Sequence, residues 1–392
     1  MDGIDESVDW GAARRMTRWV PRGPRVAVGE AIEIVAALRR GSGVAQSHVA
    51  EATHWSADEP LTTLVVDRAA WVEANVSSFQ RVFAQADEAE SVETHEIHRD
   101  APSSESGASQ AGLAGDSAEA GAEEPGEETK GESGSGPRRA VEEASFSPID
   151  AIRQVADTCS AYLSASTLTG VLGLLSTRVL GQFDPFTAKP TLLLNAPTVW
   201  AISRDIDVDR VEFSTWVCLH EMVHRFQFAN APWLTNYLVE RIGRTIADAP
   251  SLTHNIIERV RDRDDAPAPT SFGDFVVGPQ NRETFAELTA AMSLIEGYAD
   301  FMMDRTEAVV DVSRIRSRFN NRRESRGWGR VVKAVTGMAD KMAQYKAGST
   351  FCREVERKVG VDGLNAAFAS PATLPSSEEL AAPHLWVARV HG

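Results

Sequence analysis

Cysteine is scarce in this chain: Cys159, Cys218 and Cys352 are odd in number, far apart, and lack the paired spacing of a zinc ribbon or a disulfide framework. That excludes a disulfide-stapled scaffold, and a reducing cytoplasm is the expected setting. Long apolar runs are missing as well. The stretch "LTGVLGLLSTRVLG" comes closest, but it falls short of the roughly 18–20 residues that a membrane span needs, and it contains Arg178. The opening "MDGIDESVDWGAARR" is acidic where a secretory signal would be basic. No membrane partner is therefore expected. Basic charge is also in deficit, with 40 Lys and Arg against 56 Asp and Glu. Nucleic acid is accordingly not an expected partner.

The acidic excess is concentrated. Between Asp87 and Gly136 lie fourteen acidic residues against Arg99 and Lys130, so −12 of the chain's −16 falls there. The stretch has no aromatic residue and almost no large aliphatic one, so it cannot bury enough apolar surface to offset the entropy of ordering its backbone. Three regions follow from this: 1–86 as an N-terminal helical region packing on the catalytic domain, 87–146 as an acidic disordered linker, and 147–392 as the catalytic domain.

Within these regions the apolar spacing predicts a mainly α fold. Amphipathic helices are expected at roughly Ile4 to Trp19, Val28 to Leu38 and Leu61 to Phe83, and Pro21, Gly23 and Pro24 break the first from the second. Leu64, Ala69, Trp71, Val72, Val76, Phe79 and Val82 form a core-facing stripe to which no chemistry is assigned. After the linker, "TLTGVLGLLSTRVLGQF" reads as a helix and "DPFTAKP" as an exposed turn. "TLLLNAPTVWAI" is the best strand candidate, so a small strand element is expected before the next helix.

That next helix carries "VCLHEMVHRF". Two histidines four apart on a helix differ by only about 40° of rotation, so His220 and His224 can converge on one ion. Glu221, about 100° round, can lean toward a metal-bound water without being a ligand. Zinc takes imidazole nitrogens readily and lowers the pKa of its water to about 7. An apolar stripe of Trp216, Leu219, Val223 and Phe226, with Cys218 and Met222 behind it, marks the helix as buried. Polar groups there need partners, and a metal supplies one. A metzincin would continue with Gly and His, but Gln227 and Asn230 stand at those positions, which excludes that subclass.

A carboxylate further on is the other common third ligand, with Glu240, Glu258, Glu283, Glu287 and Glu296 as candidates. Glu296 sits among apolar residues in "AMSLIEGYADFMMD", beside Gly297, which permits a close backbone approach. Asp300 follows one helical turn later and is placed to accept the remaining N–H of a ligating histidine. For the oxyanion, Tyr345 and His254 are possible donors, while Tyr298 should face away from the metal.

His220-Glu221-x-x-His224 followed by Glu296-x-x-x-Asp300 resembles the gluzincin pattern of thermolysin-like metallopeptidases, with a longer gap between the two halves. More closely, "GVLGLLSTRVLGQFD", "WVCLHEMVHRFQF", "APWL", "EGYADFMMD", "KMAQYKAG" and "LNAAFASPATLP" resemble a bacterial group of zincin-like metallopeptidases, the type 2 zincin-like group. The resemblance implies a zincin-like fold, zinc held by His220, His224 and Glu296, and Glu221 as the base of a peptidase or related amide hydrolase acting on a peptide or protein substrate. The alternative is a non-catalytic zincin-fold scaffold whose metal site is structural or vestigial. A retained Glu221 argues against it, since a structural site needs no base.

Overall fold

The computed structural model describes residues 8–99, 165–247, 282–306, 309–325 and 339–392. Three short strands form its centre: β1 (Thr62–Val66), β2 (Gly181–Asp184) and β3 (Thr191–Asn195), in the order β1-β3-β2. β1 runs parallel to β3 and β2 antiparallel to it, with Leu64 opposite Leu193 and Phe183 opposite Leu192. Around them are α1 (Trp10–Met16), α2 (Val28–Thr53), α3 (Arg68–Arg99), α4 (165–176), α5 (Ala196–Asp205), α6 (Arg210–Asn230) and α7 (Trp233–Ala247). α8 (Arg282–Asp304), α9 (Val312–Ser325), α10 (Ala339–Asn365), α11 (Ser377–Ala381) and α12 (Pro383–His391) complete the chain. The fold is mainly α, as the apolar spacing predicts.

β3 explains why a sheet forms at all. Successive side chains of a strand point to opposite faces, and the run Leu192-Leu193-Leu194 is apolar on both. Leu192 and Leu194 enter the large core with Phe213, Val217, Phe226 and Leu294, while Leu193 enters a second core with Trp10, Met16, Trp71 and Val76. α6 and α8 thus belong to one side of the sheet, and α1 and α3 to the other.

The region read as one helix from Leu61 to Phe83 is instead a strand followed by a helix. Thr62 to Val66 is β-branched at four of five positions and pairs with β3, which fixes it as strand. The helix starts only after Asp67, whose carboxylate accepts from the Ala70 N–H at 2.8 Å. It then continues to Arg99, past Asp87, where the acidic linker is expected to begin. Residues 100–146 of that expected linker lie outside the described residues. "TLLLNAPTVWAI" also divides, because Pro197 at the first turn of α5 ends the strand and starts a helix. The first helix is shorter than expected and begins at Trp10, capped by Asp9, whose side chain accepts from Ala12 N–H at 2.7 Å.

The N-terminal region is built into the rest. β1 belongs to the same sheet as β2 and β3, α2 packs along α6, and Ile34, Leu38 and Val49 share a core with Leu192 and Phe351. Among the described residues, no helix is long and apolar enough to cross a membrane.

Candidate metal centre

Asp209 opens α6 by accepting from the N–H groups of Val211 and Glu212, both at 2.9 Å, and the buried face then runs from Phe213 to Gln227. On that face, His220 Nε2 and His224 Nε2 stand 3.2 Å apart with their rings perpendicular. α8 brings Glu296 to meet them: Oε2 lies 3.5 Å from His220 Nε2, and Oε1 lies 3.8 Å from His224 Nε2. Tetrahedral ligands about 2.0–2.2 Å from a zinc ion are separated from one another by about 3.3–3.6 Å. Two imidazoles and a carboxylate at these separations therefore fit such an ion with little movement. Among the described residues, this trio is the one group of three metal-ligating side chains that converge within 4.8 Å.

The other carboxylates raised by the sequence are placed elsewhere. Glu240 pairs with Arg241 and Arg244, Glu287 pairs with Arg241 at 2.9 Å, and Glu283 is exposed. Glu258 and His254 lie outside the described residues, as does the Tyr345 side chain. Tyr298 is fully buried, stacked on Trp55, with its hydroxyl donating to Asn365 Oδ1 at 2.7 Å. It has no place at the trio, in keeping with its helical position.

Beside Glu296, two helices touch backbone to backbone. A Cβ on Gly297 would lie 2.3 Å from the Gly348 carbonyl carbon, and one on Gly348 would lie 1.9 Å from the Ser293 oxygen. The close approach expected at Gly297 is thus a crossing of α8 and α10. Gly297→Ala has to separate those helices, an overpacking of the kind that costs about 1–3 kcal/mol. Urea unfolding should show a net loss of stability even though Ala is the better helix former by about 1 kcal/mol. A variant as stable as the parent would contradict the crossing.

Glu221 lies on the side of α6 that faces β2. Its Oε2 accepts from the Phe183 N–H at 3.1 Å. A Cβ at Gly181 would fall 2.6 Å from Glu221 Cγ, so only glycine leaves room for the carboxylate. β2 is in turn clamped from its opposite face by α3: Gln182 donates to Asn75 Oδ1 at 3.0 Å, and the Ser78 hydroxyl donates to the buried Asp184. These residues were not legible as functional, because Asn75 and Ser78 interrupt a helix read only for its apolar stripe.

Burial pushes the Glu221 carboxyl above the ordinary range, opposed by His220, His224 and the Phe183 N–H and reinforced by the Glu296 charge. Burial alone would lower His220, but the hydrogen bond that its N–H donates to Glu296 and the negative charges of Glu221, Glu296 and Asp300 outweigh it and carry the imidazole up to about 9. Burial would raise Glu296, yet the two histidines hold it well below the usual carboxylate range. Asp300 therefore acts on His220 through its charge. Its backbone carbonyl accepts from Arg316 at 2.9 Å, and its carboxylate stands 3.9 Å from the same guanidinium. A partner for the His224 ring comes from Gln227, whose Oε1 is 2.9 Å from His224 Nδ1 and whose amide nitrogen donates to the Ile295 carbonyl at 2.9 Å. In sequence, Gln227 serves only to exclude a subclass. Asn230, at the position where a metzincin has histidine, is turned away and donates to Ser56 and Phe226 carbonyls.

A pH dependence follows from the His220 shift. Its pKa in the folded, metal-free protein is raised to about 9, so the ring is protonated at neutral pH, and a metal must displace that proton. Apparent zinc affinity should rise with pH, roughly tenfold per unit, and level off near pH 9. Calorimetric titration in buffers of different ionisation enthalpy should show close to one proton released at pH 7. Zero release would contradict the assignment of His220.

A family model described as zincin-like metallopeptidase matches residues 8–387. Among solved structures, the chain is similar to a crystal structure from Chloroflexus aurantiacus described as a candidate hydrolase with a novel fold, with a TM-score of 0.57 and 22% identity over 97% of this chain and 98% of that one. At that identity the likeness is one of fold. No curated protein matches the chain.

Proposed function

Because the chain belongs to the zincin-like metallopeptidase family, we propose that it is a zinc-dependent peptidase or related amide hydrolase in which Glu221 is the general base. The observation that carries this reading is the convergence of His220, His224 and Glu296 at 3.2–3.8 Å, with Glu221 buried on the same helix and close enough to both histidines for their charges to act on it. His220, His224 and Glu296 would hold the ion. Bound there, zinc would supply Lewis acidity toward the scissile carbonyl and lower the pKa of water to about 7.

The chain's own residues supply the rest. The Phe183 N–H fixes one oxygen of Glu221, while Oε1 has no hydrogen bond among the described residues and is free to take the proton from the attacking water. Glu221 then passes that proton to the leaving amine. Its raised pKa, due first to burial, brings its proton affinity closer to neutral pH than that of an exposed carboxylate. Leu180 accepts from Asn195 at 2.9 Å, and the antiparallel alternation then turns the N–H and C=O of Gly181 away from β3. An extended peptide can pair with such an edge, which supports a peptide or protein substrate.

The test is to incubate zinc-loaded protein with a denatured proteome and read new N-termini by mass spectrometry. Cleavages that vanish with a chelator and return with zinc are expected. A protein carrying stoichiometric zinc that generates no new termini would overturn the peptidase reading.

A further inference from the structure

Gln227 is fully buried, and its amide spans the two helices that carry the ligand trio. The Ile295 carbonyl can only accept a hydrogen bond, so the atom that faces it at 2.9 Å must be the amide nitrogen. That choice leaves Oε1, an acceptor, facing His224 Nδ1 at 2.9 Å, so this ring nitrogen must be the donor. A neutral ring with its proton on Nδ1 has its lone pair on Nε2. Nε2 is the atom that lies 3.2 Å from His220 Nε2 and 3.8 Å from Glu296. The direction of one backbone carbonyl thus determines which nitrogen of His224 is available to an ion.

We propose that Gln227 is the positioning residue of this site: its amide holds His224 in the Nδ1–H tautomer and ties that ring to the backbone one residue before Glu296. The proposal rests on the metal-site reading and adds to it a link between ligands on separate helices. A displacement of α8 relative to α6 would have to break the Gln227 hydrogen bond at Ile295, so the two halves of the site move together. Partners of this kind change metal affinity by about 10–100-fold when removed.

The test uses the full-length chain, metal-free and zinc-titrated, with Gln227→Met as a shape-conserving variant that lacks both hydrogen bonds and Gln227→Glu as one that keeps the acceptor toward His224. Nitrogen-15 correlation spectra of the metal-free wild type should show His224 as the Nδ1–H form. Gln227→Met should lose that signature and bind zinc about 10–100-fold more weakly, and Gln227→Glu should recover the signature. A wild-type His224 protonated on Nε2 alone overturns the proposal, and that spectrum decides even if Gln227→Met does not fold. Zinc affinity unchanged in a folded Gln227→Met overturns it too. A wild type that shows the Nδ1–H form but takes up no zinc would instead sink the metal-site reading, so the two failures are distinguishable.

Discussion

Glu221→Gln should reduce peptide hydrolysis by about 10²–10⁴-fold, the range attributed to general-base catalysis, while zinc content stays at the wild-type level. The amide retains the shape of the side chain and an oxygen to accept from Phe183 N–H, but it cannot take a proton from water. Stability should hold or rise slightly, because burial already disfavours the charged carboxylate at this position. The readout is kcat on a peptide identified from the proteome digest, together with metal analysis and a thermal melt. If the chain were a zincin-fold scaffold, the same substitution would alter stability and leave whatever binding the wild type possesses untouched. Equal activity in the two proteins would remove Glu221 from the chemistry.

Glu296→Ala should weaken zinc binding by at least about 100-fold, more than the loss of an outer hydrogen-bond partner, because it would delete one of the three proposed ligands. Glu287→Ala is the matched control. Nine residues of helix separate the two positions, which puts them on opposite faces, and Glu287 is held by Arg241 at 2.9 Å. Competition against a zinc-binding dye measures both. Glu296→Ala also removes the hydrogen bond and one of the charges that raise His220, so proton release at pH 7 should fall along with affinity. The opposite ranking of the two variants would move the third ligand to the other side of α8.

The parts of this site that could be read from sequence are those governed by a fixed local period. His220, Glu221 and His224 are spaced by the helix itself, and Glu296 was favoured by its apolar neighbours and by Gly297, whose close partner proves to be Gly348. Parallel pairing resisted the same reading. Thr62 to Val66 becomes a strand only because Thr191 to Asn195, more than a hundred residues later, lies beside it, and no local period records that partner. The support for Glu221 was hidden for a related reason: Phe183 contributes a backbone N–H, and Gly181 contributes the absence of a side chain. Gln227 had a signal, a buried amide three residues after His224 on the same helix face. In sequence, Asp300 reads as the partner of a ligating histidine from its place one helical turn after Glu296. The structure turns it toward Arg316, leaving its charge as its contribution at His220.

Anomalous diffraction at the zinc absorption edge, from crystals of protein loaded with one equivalent of zinc, would locate the ion itself. A single peak is expected between α6 and α8, about 2.0–2.2 Å from His220 Nε2, His224 Nε2 and a carboxylate oxygen of Glu296. A peak elsewhere, or one that His220 and His224 hold while Glu296 points away, would contradict it.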